Sequence, residues 1–111
     1  MTVTAKNIIP SKVAEATQTT QYTAVNVTTI IDKFTATNFS GTSATLSINL
    51  VTYTDTAGNK NLITKQKTLG ASEVYTFPEI VGQILSSGSF ISTIAGTASA
   101  INIRASGREI S

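Results

Sequence analysis

The chain of 111 residues contains no histidine, no cysteine and no tryptophan. Without histidine, no side chain has an ordinary pKa near neutrality, so the usual general base of enzymes is missing. Without cysteine there is no disulfide framework, no thiolate metal site and no thiol nucleophile, which suits a protein folded in a reducing cytoplasm. The absence of tryptophan removes the largest ring for stacking, and the three Tyr and four Phe are mostly needed for a core. Charge is also scarce. Asp, Glu, Lys and Arg make up 13% of the residues, about half the usual share. No apolar run approaches the roughly 20 residues of a membrane-spanning helix. The opening segment MTVTAKNIIPSKV has no apolar stretch of secretory length, so cytoplasmic synthesis is expected.

What fills the chain instead is hydroxyl. It has 20 Thr and 12 Ser. Thr is β-branched, stiff at χ1 and suited to a pleated, half-buried surface. The composition therefore predicts a small all-β domain, soluble through Thr, Ser, Asn and Gln, that works by what it touches. A low-charge surface of this kind also suits a protein covered in an assembly. The net charge is +2 and the eight basic residues are scattered. Lys60, Lys65 and Lys67 come nearest to a cluster, and a solvated strand face accounts for them without nucleic acid. Asn26-Val27-Thr28 and Asn38-Phe39-Ser40 match a glycosylation triplet, which chance supplies in a Thr-rich chain.

Residues 1–20 read as an N-terminal arm belonging to the same domain, with a brief strand over 3–9 and a break at Pro10. The isoleucines beside Pro10 suggest an arm ordered by a neighbour. Residues 21–111 read as a β-sandwich or jelly roll of seven or eight short antiparallel strands. An extended segment starts at Tyr22, and the adjacent Ile30 and Ile31 imply a bulge. A turn follows at 38–42. Ala44, Leu46, Ile48 and Leu50 then alternate with polar residues, which predicts one face on the core and one in water. Asp55 to Asn59 reads as a hairpin tip with Gly58 free to take positive φ. Thr76 to Leu85 is the one helix candidate: Thr76 and Glu79 have capping-box spacing, Pro78 fits a first turn, and Ile80, Val81, Ile84 and Leu85 share a face.

Catalytic chemistry is thin. The six carboxylates, Glu15, Asp32, Asp55, Glu73, Glu79 and Glu109, are far apart in sequence. Two could meet in space as a glycosidase-like pair, but Asp55 is in a turn, Glu79 fits a cap and Glu15 lies in the arm, so no catalytic residue is assigned and no enzyme is expected. The Asp55–Asn59 loop offers one carboxylate, which is poor for calcium and ordinary for a turn. No phosphate-cradling glycine pattern occurs. No cofactor, metal, membrane or small-molecule substrate is expected.

The stretches TLGASEVYTFPEIVGQIL, SGSFI and ASAINIRASGREI, with FTATNFSG and ATLSI upstream, resemble small virion proteins of tailed bacteriophages. More closely, they resemble the capsid decoration (staple or cement) proteins of epsilon15-like phages, over about residues 28–110. The resemblance implies a β-sandwich or jelly roll bound outside an icosahedral shell at capsomer junctions, as a homodimer whose partner is the major capsid protein. It carries no catalytic residue across. Open sheet edges and the arm would add to a neighbour's sheet. The expected contacts are Val3, Ile8, Ile9 and Lys12 in the arm, and Tyr53, Asp55, Asn59 and Lys60 at the hairpin end. The alternative is a carbohydrate- or receptor-binding module of a phage tail or fibre, with Tyr53 as the best placed exposed ring.

Overall fold

Period-2 patterning and Thr-rich composition yield nine strands in the computed structural model, which describes residues 1–111. They are β1 (Val3–Val13), β2 (Thr19–Thr23), β3 (Thr28–Asn38), β4 (Ala44–Val51), β5 (Leu62–Leu69), β6 (Val74–Tyr75), β7 (Ile84–Leu85), β8 (Phe90–Ala95) and β9 (Ile101–Ile110). A single 3-10 turn covers Asn59–Asn61. One sheet has the order β1-β9-β3-β6, with β7 also on β3, and the other has the order β2-β8-β4-β5. All pairings are antiparallel. Because β6 and β7 share the same side of β3, they act as one strand broken in two. Counted so, each sheet has four strands, the arrangement of an eight-stranded jelly roll.

The core lies between the sheets, in a cluster of 21 buried residues. Phe34 meets Phe77 edge to face at 5.4 Å, and Tyr75 meets Phe77 at 4.7 Å. Both are geometries that the ring quadrupoles favour.

The arm expected over residues 1–20 is not an arm. Residues 3–13 pair with β9, and Ile8 and Ile9 are 3% and 1% exposed. Adjacent strand residues normally point to opposite faces. Here the register slips between Lys6 and Ile9 and again between Ile9 and Lys12, and the first slip turns both isoleucines inward. Pro10 sits in the second slip, where it deprives the ladder of little.

The bulge inferred near Ile30-Ile31 is present. Ile31 pairs with Gly107 and Lys33 with Ser106, which leaves Asp32 unpaired. Gly107 is needed there, since a Cβ would stand 2.4 Å from the Ile30 carbonyl oxygen.

The helix expected over Thr76–Leu85 does not form. Overlapping turns run instead, with Ile80 N donating to Phe77 O and Gln83 N to Ile80 O. Gly82, at φ +85, then redirects the chain onto β3. Gly82 N donates to Ile31 O at 2.7 Å, and Ile31 N donates to Gln83 O at 3.0 Å. A two-turn helix would leave most of its terminal backbone groups open, whereas pairing with β3 satisfies them. The Glu79 carboxylate accepts from Thr64 Oγ1 and Tyr75 OH rather than capping a helix.

Every sheet edge is interrupted. β1 carries two register slips and Pro10, β2 slips between Thr20 and Tyr22, β5 slips twice against β4, and β6 and β7 are two-residue pieces. Bulged, short and lysine-bearing edges resist strand addition. Contact through an added strand, as expected from the sequence, is therefore disfavoured. Faces and loops are left as the contact surfaces.

Candidate interaction surface

The end of the sandwich where β1 and β3 begin and β9 finishes carries a concentration of uncovered apolar side chains. Val3 lies opposite Ile110, and Ile110 opposite Thr28. One row further in, Ile30 lies opposite Ile84, which is 64% exposed. Just before β3, Val25 is 66% exposed and shares a cleft with Tyr53, Ser87 and Gly88. An adjoining cleft is lined by Ile63, Ile84, Lys60 and the segment around Ser86.

Tyr53 is held out by a specific backbone. Asp55 N donates to Thr52 O at 2.9 Å, closing a turn in which Thr54 has φ 72. That is the conformation a type II turn demands at its third residue, where glycine is the ordinary occupant. A β-branched residue there is strained, and such strain concentrates at functional positions. Beneath Tyr53 lies Gly88, at φ +88, where an added Cβ would meet a ring carbon at 2.4 Å. Gly88 is fixed in turn, donating to Ala24 O while Ser89 O accepts from Ala24 N. Tyr53 is 65% exposed on this platform.

The residues expected to make contact therefore separate. Tyr53, Asp55, Lys60 and Val3 reach the same end, and Lys60 Nζ pairs with Asp55 Oδ1 at 2.8 Å. Lys12 lies towards the opposite end, paired with Glu15 at 2.9 Å. Ile8 and Ile9 belong to the core and offer no surface. Asn59 opens the 3-10 turn and faces the outer side of the second sheet. Gly58 is extended at φ −169, and the positive φ of the hairpin falls on Thr54 instead. Val25, Ile63 and Ile84 were not legible as surface residues. Ile84 in particular is hidden by its fit to the helical pattern that does not form.

Each of the six carboxylates is tied to a structural partner. Glu15 accepts from Lys12 and Gln21, Glu73 from Gly70 N, and Glu79 from Thr64. Asp32 takes a forked pair of bonds from Arg108, and Asp55 pairs with Lys60. Glu109 accepts from Tyr22 OH and Lys6. Hydrogen bonds from Tyr22, then Lys6, hold the Glu109 carboxyl below its ordinary range, and those from Lys12 and Gln21 do the same for Glu15. Burial, reinforced by Glu109, pushes the Tyr22 phenol up to about 12. No three acidic side chains gather as a metal site would require. The arrangement braces strands. No protein-family model, curated protein or solved structure matches this chain.

Proposed function

We propose that this is a structural virion protein that binds the outside of an assembled icosahedral phage capsid at capsomer junctions and staples the shell. The observation that carries the reading is the gathering of Tyr53, Val25, Ile63 and Ile84 at one end of a rigid sandwich. Aromatic and aliphatic anchors on a preorganised platform are what a protein–protein contact uses. The resemblance of residues 28–110 to phage decoration proteins supplies the partner class, the major capsid protein, and a homodimer as the working unit. A two-fold dimer offers two copies of the apolar end, and two modest footholds on one shell act together through effective concentration. Binding the assembled shell and not free subunits then stabilises the shell by mass action. No step of this role uses a catalytic group.

The test is co-sedimentation with capsids stripped of accessory proteins. Saturation at a fixed ratio to the shell protein, with no binding to unassembled subunits, is the expected result. Tyr53→Ala should weaken that binding roughly tenfold or more. Absence of binding to any assembled shell overturns the proposal.

A further inference from the structure

The outer face of the second sheet should be wet and featureless, yet it carries a built polar groove. Asn49 and Ser47 point outward from β4 but are only 4% and 8% exposed. The β4–β5 connection folds back over Asn49, whose Nδ2 donates to Gly58 O at 3.0 Å and to Asn61 Oδ1 at 2.8 Å. On the other side Gln18 Nε2 donates to Ser92 Oγ at 2.7 Å. Between these walls lies a cleft of about 200 Å³, with Leu62 and Ile94 among its lining. A second cleft of about 80 Å³ continues it past Thr45 and Gly96, and the two share Ser47, Gln66 and Ile94.

Gln66 is the informative residue. Between Leu46↔Lys67 and Ile48↔Thr64, β5 advances three residues while β4 advances two. Gln66 lies in this bulge at φ 47, a left-handed conformation usually given to glycine or asparagine. Its backbone N donates to Ser47 Oγ at 2.8 Å, so a buried hydroxyl is committed to holding the distortion. The bulge keeps an exposed amide side chain over the middle of the groove, where glycine would have given an easier turn.

We infer that this groove binds a glycan chain. Side-chain amides donate and accept at once, as sugar hydroxyls do, and Gln18, Asn59 and Gln66 line it around Asn49, whose own Nδ2 is committed to the loop. Leu62 and Ile94 offer apolar surface to the C–H face of a sugar ring. Two confluent clefts suit a chain of residues better than a single small molecule. Lys65 is the one charged residue at the rim and no carboxylate lines either cleft, so neutral or acidic sugars fit and cationic ones do not. Nucleic acid would need more cations and a stacking ring. An extended peptide would need a regular edge, and β5 is broken at Gln66. This site is separate from the Tyr53 end and independent of shell binding.

The test uses the full chain, labelled with 15N and titrated with fragments of neutral and of acidic bacterial polysaccharides. The expected result is fast-exchange shifts at Ser47, Asn49, Gln66 and Ile94 with at least one fragment. Gln66→Gly keeps the bulge in an easier conformation, so its spectrum should stay folded while affinity falls roughly tenfold, the effect of about one lost hydrogen bond. Lys65→Gln should weaken acidic fragments and spare neutral ones. No shift with any fragment at about 1 mM overturns the inference. So does binding that maps to Tyr53 and Val25, or that survives Gln66→Gly unchanged, or a groove that takes only peptides.

Discussion

Thr54 shows most directly that a single side chain in this protein is placed at a cost. Its φ of 72 is one that β-branched residues avoid, and the turn it completes presents Tyr53. Left-handed backbone costs a non-glycine residue about 1–2 kcal/mol. Thr54→Gly should therefore stabilise the fold by about 1 kcal/mol, less the added freedom of the unfolded chain. The urea midpoint should rise with an unchanged slope. Gly88→Ala should do the reverse, because both the φ and the Tyr53 ring oppose a Cβ.

The Tyr22–Glu109 contact makes a second prediction at this scale. Glu109 and Glu15 have folded pKa values below the ordinary 4.5. Their contribution is present above pH 4.5 and is lost as pH falls through the folded values. Tyr22 behaves oppositely. Its contribution is complete below its ordinary value of 10.0 and is lost as pH rises towards about 12. Urea midpoints across pH should thus fall on both limbs. Tyr22→Phe should lower the midpoint near neutral pH and flatten Glu109's share of the acid limb, by removing the main support of that carboxylate, and should flatten the phenol's share of the alkaline one.

Among the elements, β1 separates a strand from an arm. Sparse apolar residues and a proline in residues 1–13 read as a loose tail, because pairing with β9, nearly a hundred residues away in sequence, leaves no local mark. The first slip, which buries Ile8 together with Ile9, also breaks the alternation by which a strand is recognised. Ile9→Ala should cost about 2–5 kcal/mol, the usual effect of truncating a buried isoleucine, measured by equilibrium unfolding. Deleting residues 1–12 should abolish cooperative unfolding, not merely remove a foothold. β4, β5, β8 and β9 were legible because their patterning and flanking turns are local. The 76–85 segment was not, since its helical spacing also suits Phe77 and Ile80 anchoring a turn, and only the free side of β3 decides between them. Of the surface residues, Tyr53 was legible from its place beside a hairpin tip. Ile84 and Gln66 were not, because a β7 pairing and a bulge decide which way they face.

For the molecule as a whole, low charge constrains how any partner is held. The net charge is +2, and four ion pairs within the chain take up half of the eight basic residues. At the apolar end the visible pair is Lys60 with Asp55, which presents no net charge to a partner. Long-range steering is then weak, and screening has little to remove. If Tyr53, Val25, Ile63 and Ile84 carry shell binding, its free energy comes from apolar burial, with a negative heat-capacity change as its mark. Co-sedimentation between about 50 mM and 500 mM sodium chloride, a range over which the Debye length falls from about 14 Å to about 4 Å, should change the affinity less than about threefold. Calorimetry at several temperatures should give a binding enthalpy that becomes steadily more favourable on warming. A steep loss with salt would instead assign the contact to the exposed arginines and lysines on the sheet faces, and would move the interface away from Tyr53.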